Sequence, residues 1–378
     1  MTIAALCFSE TVGGLELANL RRTSELARHG HRGVAILARG ASELTKRAVD
    51  MGLEVERIHA RLPYTDIIAG RRIRRLIDHY GIDLLLVART KDLSTAMLGA
   101  RSDTAVVLYH QMQSEIDKRD WLHNRIYRRL DACIVITDRQ RGQLLRTTVL
   151  DATKIHLVPY GVDLHRYSPE SMGHHQARAN FGIPDDAFVV GIVGGFSEGK
   201  GQRDLLVALQ LVFDQEPLLR PRLWGLFVGE RAGDIGEYTT SLRRIRQALP
   251  FANRIVFSPF IDNPVAAYRS IDLFVLASRS ETFGMVVQEA MASGCAVIAT
   301  DAGGVPEIVT DGVDGLLVPP RSPEDIAGAV LRLWRDPALR ARLAANARSS
   351  VVTRYDPDDA YRRFVAVLTG ALEQRKTR

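Results

Sequence analysis

Glu281 and Glu289 flank a glycine where an apolar run gives way to a helical one. The stretch reads Ser278-Arg-Ser-Glu281-Thr-Phe283-Gly284-Met285-Val286-Val-Gln-Glu289-Ala-Met291. The residues ending at Ala277 have strand character, and a helix is expected to begin near Gly284. A glycine at that point lets a ligand come close to the backbone. The N–H groups of Gly284, Met285 and Val286 then face it, and the helix dipole adds roughly half a positive charge. Such a terminus suits a diphosphate. A carboxylate offers about four lone-pair sites and is a good acceptor for paired sugar hydroxyls. Glu281 precedes the helix and Glu289 lies in its second turn, so the two reach different parts of one ligand. The plainer alternative makes Glu281 a helix-terminal charge and Glu289 a solvated helix residue.

Three other stretches carry chemistry. Val193-Gly194-Gly195-Phe196-Ser197-Glu198-Gly199-Lys200-Gly201 is a glycine-rich turn between strand and helix, with a lysine. Backbone donors plus the compact charge of Lys200 make a phosphate cradle in physical terms, although the pattern alone is weak. Val12-Gly13-Gly14-Leu15-Glu16 places paired glycines between the first strand and the first helix. It lacks the GxGxxG spacing of a dinucleotide site, and a simple tight turn is the alternative. Val106-Val-Leu-Tyr109-His110-Gln111 puts His110 at a strand end, where a lone histidine is more often structural than catalytic. Two basic stretches, Arg71-Arg72-Ile73-Arg74-Arg75 and Lys118 to Arg129, suit solvated helix faces. The second mixes Trp121 and Tyr127 with arginine and also suits contact with an anionic membrane surface.

The elements that position these residues alternate between strand and helix, twice over. Strands are expected at Ile3–Phe8, Val34–Leu37, Leu84–Val87, Ala105–Tyr109, Cys133–Ile136 and Ile155–Val158. They are expected again at Phe188–Val193, Leu223–Val228, Ile255–Phe257, Leu273–Leu276, Ala296–Ala299 and Gly315–Val318. These runs are nearly continuous in apolar residues, as in parallel strands buried on both faces. Between them, Ile73, Leu76, Ile77 and Tyr80 fall on one helical face that ends at Gly81. The expected fold is α/β, with two Rossmann-like doubly wound parallel sheets facing across a cleft. Proline and glycine punctuate 159–187. The domains are taken as 1–168 and 169–356, with an amphipathic segment 357–378 packing back on the first.

At 378 residues the chain has room for two domains, and 46% hydrophobic and 25% charged residues are ordinary for a globular protein. Cys7, Cys133 and Cys295 are isolated, which argues against a disulfide framework or a zinc site and fits a reducing cytoplasm. The amino terminus lacks a basic signal-peptide region, and no stretch nears the roughly 20 apolar residues of a membrane span. The expectation is a soluble cytoplasmic protein, at most peripheral at the inner face of a membrane. The net charge of +6 is concentrated in residues 1–168, where 26 Lys and Arg face 19 Asp and Glu, against 24 and 25 in the remainder. That imbalance suits an anionic partner. No helix-turn-helix spacing, zinc knuckle or RNA-binding aromatic motif accompanies it, so nucleic acid is not expected.

The run from Ser278 to Met291 continues through Gly294-Cys-Ala-Val-Ile-Ala-Thr-Asp301-Ala-Gly303-Gly304-Val-Pro306-Glu307-Ile308 and Asp311-Gly-Val-Asp-Gly315-Leu-Leu-Val-Pro319. It resembles glycosyltransferase family 4, retaining enzymes of the two-lobed GT-B type. The resemblance implies that Glu281 contacts the sugar of a nucleoside diphosphate sugar and Glu289 the ribose hydroxyls. It also implies that Gly14 and Lys200 meet the donor phosphates and that His110 lies near the transferred sugar. The backbone of Ile261, at a strand end, is a further candidate for holding the base. Where the family carries an arginine five residues before the lysine, this chain has Gly195, so one charge-assisted contact is missing unless an arginine such as Arg203 replaces it. The implied activity is transfer of a hexose from a UDP- or GDP-type donor to an acceptor hydroxyl, without cofactor or metal; the basic amino-terminal half adds the expectation of a role in cell-envelope or glycolipid glycan synthesis. The partners are then a nucleotide sugar and a sugar or glycolipid acceptor. Two alternatives keep the fold: a sugar-nucleotide hydrolase or epimerase, and a non-catalytic nucleotide-sugar-binding subunit.

Overall fold

A computed structural model describes residues 1–11, 13–60, 65–113, 116–230, 233 and 236–377. The chain divides into two contact-dense units, Met1–Pro159 with Tyr361–Arg378, and Tyr160–Ala360. The division falls at Pro159/Tyr160, ahead of the 168/169 point taken from the sequence, so residues 160–168 count with the second unit.

The first unit is built on β1 (Thr2–Cys7), β2 (Arg32–Ala38), β3 (Glu54–Ile58), β4 (Leu84–Val87), β5 (Ala105–His110), β6 (Ala132–Val135) and β7 (Ile155–Leu157). Their order in the sheet is β3-β2-β1-β4-β5-β6-β7, and every pairing is parallel. β1, β4, β5 and β6 are almost wholly buried, as their unbroken apolar runs require. β3, Glu54-Val-Glu-Arg-Ile58, is an edge strand absent from the expected set. Its charged residues remove the continuous apolar signal, and one free edge lets them reach water. The helix Ile67–Tyr80 buries Ile73 and Ile77 and ends at Gly81, whose φ of 63° supplies the left-handed turn that closes it. In the closing helix Pro357–Lys376, Phe364 and Leu368 are buried. Phe364 meets Tyr109 edge-on at 5.2 Å and lies 4.9 Å under the Arg22 guanidinium, both in the first unit.

The second unit contains β8 (Phe188–Val193), β9 (Leu223–Glu230), β10 (Ile255–Pro259), β11 (Leu273–Leu276), β12 (Ala296–Thr300) and β13 (Leu316–Val318). The order is β10-β9-β8-β11-β12-β13, again all parallel. The core joins β8, β9 and β11 to Leu205, Leu209 and Val212 of the helix Gln202–Gln215 and to Ile326 and Val330 of the helix Pro323–Arg335.

In both sheets the order reverses beside the first strand, between β1 and β4 and between β8 and β11. Loops leaving the carboxyl ends of those neighbours diverge to opposite faces and leave a crevice, where open α/β sheets bind ligands. The loops after β1 and β8 are the glycine-rich ones, and the loop after β11 carries Glu281. The three cysteines are buried and unlinked, and among the described residues no helix is long and apolar enough to cross a membrane.

Candidate functional site

In the second unit, two loops meet at the reversal point. The Arg279 amide donates to the Gly199 carbonyl at 2.8 Å, tying the loop after β11 to the loop after β8. Gly201 makes this approach feasible. Its φ is 71°, and a Cβ there would stand 2.0 Å from the Ala277 carbonyl oxygen. Across the junction the Lys200 Nζ donates to the Glu281 Oε2 at 2.6 Å, with the lysine side chain 38% and the glutamate 16% exposed. The Ser278 hydroxyl donates to the same oxygen at 3.4 Å, and the Gly304 amide holds the Glu281 carbonyl at 3.0 Å. Glu281 is thus fixed by its backbone as well as by its charge, rather than being a loose helix-terminal acid.

Three residues on, Gly284 adopts φ 107° and heads the helix Met285–Ala292. Val287 is the first amide to bond back, to the Gly284 carbonyl at 2.9 Å. Helix geometry leaves the amides of Gly284, Met285 and Val286 without an intrahelical acceptor. No side chain caps this end, so the dipole is available to an anion. Glu289, on the second turn, accepts from the Tyr268 hydroxyl at 2.7 Å and from Tyr167. Burial, and secondarily the Glu289 carboxylate, holds both phenols protonated, well above their ordinary range. Glu289 is therefore an oriented, partly buried acceptor and not a solvated helix residue. Tyr268 and Tyr167 were not legible as site residues: one sits in a helix and one in a loop, and no motif marks either.

Gln202 is a second missed residue. It is fully buried, and its amide nitrogen donates to the carbonyls of Gly195 at 3.1 Å and Gly194 at 3.4 Å while its oxygen accepts from Tyr238 at 3.2 Å. It staples the glycine loop in one conformation. At Gly195 an added Cβ would meet nothing within 4 Å, so this position faces open space. Arg203 is exposed, and its amide donates to the Tyr238 hydroxyl oxygen at 3.3 Å. Ile261 lies just beyond β10, partly buried.

In the first unit, Gly14 opens the helix Gly14–Arg28, uncapped and exposed. It lines a cavity of about 850 Å³ together with His110, Arg89, Lys91 and Lys118. His110 ends β5 and is 5% exposed. Burial, and secondarily the positive charge of Lys118, push its imidazole down to about 4, so it is neutral near pH 7. Gly14 and His110 therefore share one cavity in the first unit, whereas Lys200, Glu281, Gly284, Met285, Val286 and Glu289 gather at one strand edge in the second. Of the basic stretches, Trp121 of the helix Trp121–Arg129 is 77% exposed, but Tyr127 is buried and belongs to the core, which removes it from the surface-facing set.

Known proteins share the sequence pattern and the fold of this chain. Residues 174–350 match the family described as Glycosyl transferases group 1, and residues 12–166 match Glycosyltransferase Family 4. A D-inositol 3-phosphate glycosyltransferase of Actinosynnema mirum is 36% identical over 219 residues, 57% of this chain and 52% of that protein. One of Thermomonospora curvata is 32% identical over 247 residues, 64% and 57% of the two chains. The chain thus spans about half the length of the curated relatives it matches. Among solved structures, a glycosyltransferase of Rickettsia africae superposes with a TM-score of 0.85 at 17% identity, covering 98% of each chain. Anabaena HepE in complex with UDP superposes at 0.83 with 22% identity, covering 98% of this chain and 100% of that one. With both halves matched in sequence and the whole chain matched in fold, the protein belongs to glycosyltransferase family 4 and has the GT-B fold.

Proposed function

We propose that this chain transfers a hexose from a nucleoside diphosphate sugar to an acceptor hydroxyl with retention at the anomeric carbon. The observation that carries this reading is the placement of Lys200 and Glu281, 2.6 Å apart, beside the uncapped amides at Gly284. Cation and amides suit the diphosphate, and the carboxylate suits the sugar hydroxyls. Glu289, held by Tyr268, accepts the ribose hydroxyls, and the Ile261 backbone meets the base. In the reaction the bond from the anomeric carbon to the diphosphate oxygen breaks, and the acceptor oxygen bonds to that carbon on the same face. The acceptor proton passes to the departing diphosphate. Lys200 and the helix-terminal amides stabilise the negative charge that develops there, without reorganising at the moment of reaction. His110, neutral, orients sugar and acceptor by hydrogen bonding rather than attacking as a nucleophile.

The donor is of the UDP or GDP type. HepE has been solved with UDP and with UDP-glucose, which supports UDP as the first donor to try. No metal takes part in this reading. Among the described residues no group of three His, Cys, Asp or Glu side chains is arranged to hold one. The acceptor is a sugar or glycolipid of envelope glycan synthesis, taken up by the first unit.

A thermal-shift panel of UDP, GDP and their sugars tests the proposal. A donor present at 100 times its dissociation constant adds about 2.7 kcal/mol to folding stability. A panel in which no nucleoside diphosphate or its sugar raises the unfolding temperature refutes it.

A further inference from the structure

The lining of the first-unit cavity of about 850 Å³ has two unlike components. One is apolar, made up of Leu15, Leu93, Met112, Ile116, Leu122 and Ile126. Of these, Met112 is 56%, Ile116 69% and Leu122 39% exposed, an unusual concentration of large apolar side chains around one opening. The other component is cationic. Lys118 is half-buried, and its Nζ meets the Thr90 hydroxyl at 3.3 Å, with no carboxylate paired to it among the described residues. Burial alone lowers its pKa, and its charge is felt by His110, which also lines the cavity. Lys91 lines it too, as does Arg89, which faces Asp92 at 3.8 Å. The acidic residues there are Glu16 and Asp117, and Asp117 already accepts from two guanidinium nitrogens of Arg119, at 2.9 and 2.7 Å.

Each component alone excludes a class of ligand. A small hydrophilic ligand would leave the apolar lining facing water, whereas a plain hydrocarbon would cover Lys118 without pairing its charge, at a cost of several kcal/mol. A ligand that satisfies both carries an anionic group beside a hydrocarbon segment. The volume lies within the range of sites that enclose a small molecule.

We infer that this cavity binds an anionic amphiphile, its phosphate-like group paired with Lys118 and Thr90 and its hydrocarbon portion laid on Leu93, Leu122 and Ile126. That the bound amphiphile serves as the acceptor rests on the transferase reading above; that it binds does not.

Isothermal titration with three soluble probes, octyl phosphate, 1-octanol and inositol 3-phosphate, decides the matter. Octyl phosphate is expected to bind one equivalent at least about ten-fold more tightly than either of the others. Lys118→Met should abolish its advantage over 1-octanol, Lys118→Gln should do the same while keeping a polar atom against Thr90, and Leu122→Glu should weaken both alkyl probes. Inositol 3-phosphate binding as tightly as octyl phosphate would overturn the inference in favour of a hydrophilic phosphate site. Equal binding of 1-octanol and octyl phosphate, or an octyl phosphate affinity indifferent to both Lys118 variants, would overturn it as well. UDP titrated into the same protein reports on the donor reading separately: UDP binding without octyl phosphate binding overturns the cavity assignment alone.

Discussion

Replacing Lys200 by Met keeps the aliphatic stem and removes the charge that faces Glu281. The pair is short, at 2.6 Å, but the lysine side chain is 38% exposed. Solvent screening and side-chain entropy therefore limit its contribution to folding to about 1 kcal/mol or less. The unfolding temperature of the variant should fall by only a few degrees. Its effect on UDP should be much larger, because a hydrogen bond to a charged group contributes about 1.5–3 kcal/mol, a weakening of about ten- to hundred-fold in affinity. Glu281→Gln should behave oppositely. In the unliganded protein the carboxylate occupies the ammonium that the diphosphate must recruit. Removing its charge leaves UDP affinity unchanged or raises it, while the added affinity of UDP-sugar over UDP falls, because the amide keeps one neutral acceptor oxygen where the carboxylate had two charged ones. Calorimetric titration of UDP and UDP-glucose into the wild type and both variants, with melting curves alongside, separates the two roles. UDP affinity within two-fold of wild type in Lys200→Met, or a parallel loss of UDP binding in both variants, would refute the assignment of Lys200 to the diphosphate and Glu281 to the sugar.

His110 supplies a pH signature. Its folded pKa of about 4 lies below the free value of 6.5, so between those values the unfolded chain holds a proton that the folded chain rejects. Stability from this group is complete above pH 6.5 and is lost as pH falls towards 4, by about 3 kcal/mol in all. Denaturant titrations across that window should show His110→Asn with a shallower slope than wild type. Gly195→Arg should be tolerated in melting experiments, since an added Cβ there meets nothing within 4 Å. It should also tighten UDP binding about ten-fold by adding a charged donor to the loop. Gly201→Ala should destabilise the second unit by about 3 kcal/mol or more, because a left-handed φ of 71° and a 2.0 Å approach to the Ala277 carbonyl act together. Gly284→Ala, with φ 107° but a nearest neighbour at 3.6 Å, should cost only about 1–2 kcal/mol in the same denaturation assay.

Most of the parallel strands were legible because burial on both faces demands unbroken apolar runs, and Leu84–Val87, Phe188–Val193 and Leu273–Leu276 are strands with those very limits. Glu54–Ile58 escaped for the converse reason: an edge strand tolerates charge, and alternating glutamates look like loop. The helix stop at Gly81 was readable from residue type, since a left-handed φ of 63° is cheap only for glycine. The run from Ser278 to Met291 likewise declared itself, because amides, glycine and carboxylates that serve one ligand must lie within a few residues of one turn.

Partners distant in sequence are another matter. Nothing local links Lys200 to Glu281 or Tyr268 to Glu289, and Gln202 stapling the Gly194 and Gly195 carbonyls follows no motif. These contacts depend on where the chain returns after a crossover helix, which is set by strand order. The same holds for His110, whose neutrality comes from the surroundings assembled around β5 and from Lys118, and for Lys118 itself, which sequence places among solvated arginines but folding half-buries in a cavity that apolar side chains also line. Residue types and spacing specify the elements and the local turn chemistry, because both act over a few bonds. Burial, charge pairing and the shape of the cavity are properties of segments tens of residues apart, and they exist only once the sheets have formed.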